Sequence, residues 1–197
     1  MMVGKKTIIK KIDDKNIAEV ISLLCLSFYN DTYFKKLFPN SATRMKDMGE
    51  QFKPCLFFSL RNGFSTGVFD KGKLVALSIA VDYSALCKDK EIYKSTFMTD
   101  VIDEAYPIKL KLEEKMSKFT GNTLYHMLIA VDESYRKMGI ATSFIDYMIK
   151  TYGECYNIIA DVSSEISLLI YKKRGFNIEE IDEGYYFVSR ESIKIKE

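Results

Sequence analysis

Several things are scarce in this sequence, and each scarcity excludes a class of protein. It holds one histidine, His126, and four cysteines, Cys25, Cys55, Cys87 and Cys155, in 197 residues. The cysteines are widely spaced and no C-x-x-C occurs, so neither a zinc site nor a disulfide framework is expected. They read as free thiols in a reducing cytoplasm, mostly small core fillers. No segment approaches the roughly 18 apolar residues of a membrane-spanning helix. The opening MMVGKKTIIKKIDDKN carries no apolar run of signal-peptide length. An excess of one charge is missing too: 29 Lys and Arg meet 27 Asp and Glu, a net +2. That balance argues against nucleic acid or a membrane surface as partner. No G-x-x-x-x-G-K-[ST] loop occurs, and no G-x-G-x-x-G follows the first strand, so a dinucleotide-binding Rossmann fold is disfavoured.

What is present reads as one α/β domain over residues 1–197, with 47% hydrophobic and 28% charged residues. Thr7–Ile12 is a β-branched strand candidate, and Asp13 or Asp14 is placed to cap the helix that follows. Ile17, Val20, Ile21, Leu24, Cys25 and Phe28 form one helical stripe. Tyr29–Asn40 is aromatic and irregular, a short helix plus loop, and a second long helix runs from about Ser41 to Leu60. Phe64–Phe69 and Lys73–Val81 read as a hairpin around DKGK, with Gly72 free to take positive φ. The second strand is almost wholly apolar, hence buried on both faces. Residues 84–122 read as a helical insertion with a stripe of Ile108, Leu112, Met116 and Phe119. Leu124–Val131 is a strand, Gly139–Tyr152 a helix, and Ile158–Val162 a short strand. EISLLIYKKRGF is a helix stopped by Gly175 in the C′ position, and FNIEEIDEGYYFVSR is a closing hairpin.

The most informative stretch is LIAVDESYRKMGIATSFIDYMI, Leu128–Ile149. It passes from strand to helix through a turn that carries Arg136, Lys137, Gly139 and Ala141. The first N–H groups of a helix lack partners and attract anions, and the macrodipole adds about 0.3–1 kcal/mol. Gly139 permits close approach to the backbone, and Arg136 and Lys137 offer charge-assisted bonds to phosphate oxygens. The stretch therefore suits a pyrophosphate. Alone, R-x-x-G-x-A could equally well turn the chain with its charges in solvent.

IAVDESYRKMGIATSFIDYMI resembles motif A of the GNAT N-acetyltransferase superfamily, V-x-x-x-x-[QR]-x-x-G-x-[GA], with Val131, Arg136, Gly139 and Ala141 in register. Downstream, LLIYKKRGF resembles the end of motif B, in which Tyr171, Gly175 and Phe176 match a tyrosine followed by x-x-x-G-F. The two motifs in this order and spacing are more specific than either alone. TLYHMLIAVD and DTYFKKLFPN look most like the small-molecule branch that includes puromycin acetyltransferases. The resemblance implies a mixed, mostly antiparallel sheet with splayed fourth and fifth strands, flanked by helices. It implies acetyl-CoA as co-substrate, without a metal, and direct transfer to the primary amine of a small molecule. Pantetheine would pair with Ile129, Ala130 and Val131. The pyrophosphate would sit on Arg136, Lys137, Met138, Gly139, Ile140 and Ala141, with Thr142 close by. Where several family members carry Asn early in motif B, this chain offers Ser164 and Ser167; a hydroxyl replaces one amide hydrogen bond, not both.

The chemistry makes its own demands. The oxyanion needs an N–H donor, for which backbone near Ile129 is the expected source. The leaving thiolate needs a hydrogen bond or a proton, and Tyr171 can donate at neutral pH. An acceptor amine of lysine-like pKa needs about 4–5 kcal/mol of deprotonation at pH 7. Tyr125, Met127 and Ile129 share one strand face, whereas His126 points the other way and reads as a satisfied strand residue; the resemblance implies that Tyr125 is the better placed, to orient a water. The base stays unassigned, and a cysteine nucleophile is the lesser route. Phe28, Tyr29, Asp31, Tyr33 and Phe34 are candidates for an acceptor pocket that binds a cationic amine; they could equally be core lining beside a solvated Asp. A monomer or homodimer fits. The alternatives are a CoA-sensing module that does not turn over, and a transferase for protein N-termini or lysines.

Overall fold

Lys73–Asp82 is buried from Leu74 to Val81, as its unbroken apolar run requires. It is β3 of the computed structural model, which describes residues 8–62, 64–89, 92 and 106–194. The other strands are β1 (Ile9–Lys11), β2 (Thr66–Asp70), β4 (Thr123–Val131), β5 (Asn157–Val162), β6 (Asn177–Asp182) and β7 (Tyr185–Arg190). They form a seven-stranded sheet in the order β1-β2-β3-β4-β5-β7-β6. The pairing is antiparallel at β1–β2, β2–β3, β5–β7 and β6–β7, and parallel at β4–β5. The helices are α1 (Ile17–Phe28), α2 (Thr32–Leu37), α3 (Arg44–Asn62), α4 (Tyr83–Lys88), α5 (Tyr106–Met116), α6 (Ile140–Tyr152) and α7 (Glu165–Lys172). Among the described residues, no helix is long and apolar enough to cross a membrane.

The chain divides into two compact units. The first is Met1–Ile79 with Leu128–Tyr147, the second Ala80–Met127 with Met148–Glu197. In the first, β2 and β3 form the expected hairpin. Lys71 as well as Gly72 takes positive φ, +49° and +83°, and two such residues match the right-handed twist of the strands. The start of α1 differs from expectation. A 3-10 turn, Asp14–Asn16, precedes it, and Asn16 makes no side-chain cap bond. Asp13 Oδ1 instead accepts from Lys15 N at 2.9 Å, so the aspartate holds the turn before the helix. α1 buries Val20, Leu23, Leu24 and Cys25 and packs on α3.

In the second unit, the described part of 84–122 supplies α4 and α5. Residues 90, 91 and 93–105 of the expected insertion lie outside the described residues. Asp82 caps α4 by accepting from Ala85 N at 2.9 Å. Leu112 and Met116 of α5 are buried. Lys115 joins α5 to β6 through Glu179 at 2.5 Å. Asn157 anchors the start of β5: its Oδ1 accepts from Ser192 N at 3.0 Å and its Nδ2 donates to Thr123 Oγ1 at 3.3 Å. The β4–β5 register runs Thr123–Asn157, Leu124–Ile158, Tyr125–Ile159 and stops there, although both strands continue. The fourth and fifth strands therefore part after Tyr125, the splay that the sequence resemblance implied.

Candidate active site

Two sets of candidate residues stand out, each within its own unit. In the first, β4 ends at Val131 and a 3-10 turn, Glu133–Tyr135, follows. Asp132 caps that turn by accepting from Ser134 N at 3.0 Å. It also pairs with Lys73 at 3.1 Å, and this pairing holds its carboxyl below the usual range. Tyr135 Oη donates to Asp70 at 2.7 Å. Ile140 and Phe144 are buried with Val68, Val75 and Ala76, and Ile129, Val131 and Tyr135 pack against them. Both ends of the turn are thus pinned in apolar packing. Its middle is open: Arg136, Lys137, Met138 and Gly139 are exposed, Met138 to 53%.

The backbone of this turn is unusual. Lys137 has φ +62° and Gly139 φ +77°. A Cβ on Gly139 would meet nothing within 4 Å, so φ, and not crowding, calls for glycine there. The space in front of the backbone is clear. α6 starts at Ile140, with Ala141 and Thr142 half-buried in its first turn; its first N–H groups lack helical partners. Arg136 Nε donates back to Val131 O at 3.2 Å. On β4, Ala130 is buried, and Ile129 and Val131 are half-buried.

In the second unit, Tyr171 sits on α7, 4% exposed, and its Oη lies 2.7 Å from Nδ1 of His126, 2% exposed. The sequence reading treats His126 as an ordinary strand residue; the structure makes it the partner of Tyr171. Burial lowers the His126 pKa to about 4, so the ring is neutral at pH 7 and one nitrogen donates while the other accepts. Burial, with the charge of Asp161 second, raises the Tyr171 pKa. Gly175, φ +72°, reverses the chain, which brings Phe176 edge-on to Tyr171 with ring centroids 4.9 Å apart. The Gly-Phe pair after α7 therefore fixes the Tyr171 ring. Ser164 is the N-cap of α7 and accepts from Ser167 N, so that oxygen is engaged in the helix.

A second cluster was not foreseen. Tyr125 Oη donates to Asp161 Oδ1 at 2.5 Å, and Tyr185 Oη donates to Asp161 Oδ2. Asp161 is the one acidic residue of β5, NIIADV, and an acid inside an apolar strand is the signal that could have drawn attention to it. Burial raises its pKa, with the two phenols acting against the rise.

The residues proposed for an acceptor pocket lie in the first unit. Phe28 and Phe34 stack at 5.2 Å, and both meet Phe52, at 6.5 and 5.5 Å. The Tyr29 ring already carries the Arg44 guanidinium at 5.0 Å. Asp31 Oδ1 accepts from Phe34 N at 3.2 Å. The Tyr33 side chain lies outside the described residues. All four cysteines are free thiols. Burial pushes Cys25 up to about 11 and Cys55 up to about 12, so neither supplies appreciable thiolate at pH 7. Among the described residues, no group of three or more His, Cys, Asp or Glu could hold a metal ion. A cleft of about 670 Å³ in the second unit is lined by Lys115, Lys118, Glu179 and Arg190 among others, and includes none of Tyr125, His126, Asp161 or Tyr171.

No protein-family model matches the chain, and no curated protein sequence matches it. Solved structures match its fold. The C-terminal condensation domain of Ebony, in complex with beta-alanyl-dopamine, aligns with a TM-score of 0.70 at 12% identity, over 94% of this chain and 99% of that one. A polyamine N-acetyltransferase of Drosophila melanogaster aligns at 0.61 and 10% identity, over 93% of this chain and 97% of that one. The PaiA N-acetyltransferase of Thermoplasma acidophilum, in complex with coenzyme A, aligns at 0.56 and 10%, over 95% of this chain and 99% of that one. At such identities the likeness is one of fold.

Proposed function

We propose that this chain, which has the GNAT acetyltransferase fold, moves an acetyl group from acetyl-CoA to the primary amine of a small molecule. The observation that carries the reading is the exposed turn at the start of α6. Lys137 holds a positive φ that disfavours a side-chain-bearing residue by about 1–2 kcal/mol. Strain of this kind persists where a site needs it. Arg136 and Lys137 would bind the pyrophosphate together with the free N–H groups of α6. Backbone of Ile129–Val131 would pair with pantetheine and meet the oxyanion. Two fold neighbours support the substrates, one holding coenzyme A and one acetylating polyamines.

Tyr171 serves the leaving group. With a raised pKa it stays protonated at pH 7. A thiol has a pKa of about 8.5 and a phenol about 10, so full proton transfer to the thiolate is uphill by at least about 2 kcal/mol. Its contribution is a donated O–H···S hydrogen bond. His126 makes this available when Nδ1–H donates to the phenol oxygen, because the phenol proton is then free to turn to sulfur.

The test is thiol release from acetyl-CoA over polyamines, arylalkylamines and amino sugars. Tyr171→Phe keeps the ring packed on Phe176 and removes the hydroxyl. Turnover is expected to fall about a hundredfold or more, with acetyl-CoA affinity retained. Wild-type turnover in Tyr171→Phe would remove its role, and no thiol release by the wild type with any amine would overturn the transferase reading.

A further inference from the structure

Two clusters in the second unit join a tyrosine hydroxyl to a titratable side chain of the sheet, and the reading above uses only Tyr171 with His126. The other cluster centres on Asp161. Ile159 pairs with Tyr125 across β4–β5, and Asp161 lies two residues further on the same face of β5. Asp161 is opposite Phe187 of β7, two residues from Tyr185. The register alone thus gathers Tyr125, Asp161 and Tyr185 on one face, with Tyr125 in the last β4–β5 pair and the other two beyond it. Both phenols donate to the carboxylate, one to each oxygen. Glu179 of β6, also opposite Phe187, is neutralised by Lys115 at 2.5 Å. Asp161 has only neutral donors and no cation paired with it among the described residues. A half-buried carboxylate left without a counter-charge is costly to keep.

We infer that Asp161 is the group that takes the proton of the acceptor ammonium, with Tyr125 and Tyr185 as positioning residues, so that the site is built for a cationic primary amine. This rests on the transferase reading. A bound ammonium supplies the missing positive charge, and one phenol hydrogen bond holds each carboxylate oxygen in place. The ammonium N–H bond breaks and its proton goes to Asp161. The neutral amine then forms the N–C bond to the thioester carbonyl. As the C–S bond breaks, the second nitrogen proton leaves with the thiolate as the CoA thiol, and Asp161 returns its proton to solvent. The balance is one ammonium and one acetyl-CoA to one amide, one thiol and one proton.

The experiment is the pH dependence of kcat/KM between pH 5 and 9 for the best acceptor of the same amine panel, with acetyl-CoA affinity measured alongside. The wild type is expected to rise with pH through an ionisation above the ordinary carboxylate value of about 3.9. Asp161→Asn is expected to lose about a hundredfold or more, to lose that limb, and to keep its acetyl-CoA affinity. The loss should shrink with a fluorinated analogue of the acceptor, whose ammonium is more acidic. Should Asp161→Asn fold poorly, Tyr185→Phe carries the test: removal of one donor to the carboxylate moves the limb to higher pH. An unchanged limb in both variants overturns this inference and leaves the transferase reading intact. No acetyl transfer by the wild type overturns both.

Discussion

Tyr171 and His126 show what one buried hydrogen bond commits a protein to. His126 is neutral in the folded chain, with a pKa lowered to about 4, against about 6.5 when unfolded. A lowered folded pKa gives a contribution that is complete above pH 6.5 and is lost as pH falls towards 4. The size is about 3 kcal/mol over that window. Urea unfolding at pH 7, 5.5 and 4 should therefore show stability falling with acid, and His126→Gln should lack that share of the slope. An equal slope in the variant would mean that His126 is not buried neutral. Neither partner was legible as part of a pair. Tyr171 was singled out from its motif, whereas His126 lies 45 residues away, and no local pattern joins a strand residue to a helix residue at that distance. The Asp161 cluster escaped for the same reason, its members being separated by 24 and 36 residues.

The turn between β4 and α6 was legible because its signals are local: a glycine, two cations and a change of hydrophobic period from two to 3.6. Its backbone makes two predictions with opposite signs. Gly139→Ala meets no atom yet must hold φ near +77°, so it should destabilise by about 1–2 kcal/mol. Lys137→Gly relieves the same strain and should stabilise by up to about 1 kcal/mol, while it weakens acetyl-CoA binding by removing a cation. Denaturant midpoints with and without acetyl-CoA check both. A Lys137→Gly variant that loses stability would show that the positive φ is not a strained feature. Elsewhere, the β3 run, Gly72 and Gly175 were punctuation of the same local kind. The start of α1 was misread because Asp13 and Asp14 satisfy a cap pattern, and only the structure shows Asp13 spent on the preceding 3-10 turn. Phe28 and Phe34 read as pocket or core with equal ease, since their partner Phe52 comes from another helix.

The whole chain shares 10–12% identity with the three solved structures described above. Topology therefore carries the likeness: a mixed seven-stranded sheet, parallel at β4–β5 and flanked by helices. With a net charge of +2, the phosphate site proposed on the turn at Arg136 and Lys137 would rest on their local field, without a global basic surface behind it. The central claim is that this turn binds acetyl-CoA. The most direct test is thermal unfolding of the wild type and of Arg136→Glu, each with and without acetyl-CoA. Ligand at 100 times its Kd stabilises the native state by about 2.7 kcal/mol, an upward shift on the order of 5–10 °C for a chain of this size. Arg136 is exposed, so the variant should melt near the wild type without ligand. The account predicts a clear rise for the wild type and little or none for Arg136→Glu. An unshifted wild type at millimolar acetyl-CoA, or equal shifts in both proteins, would contradict it.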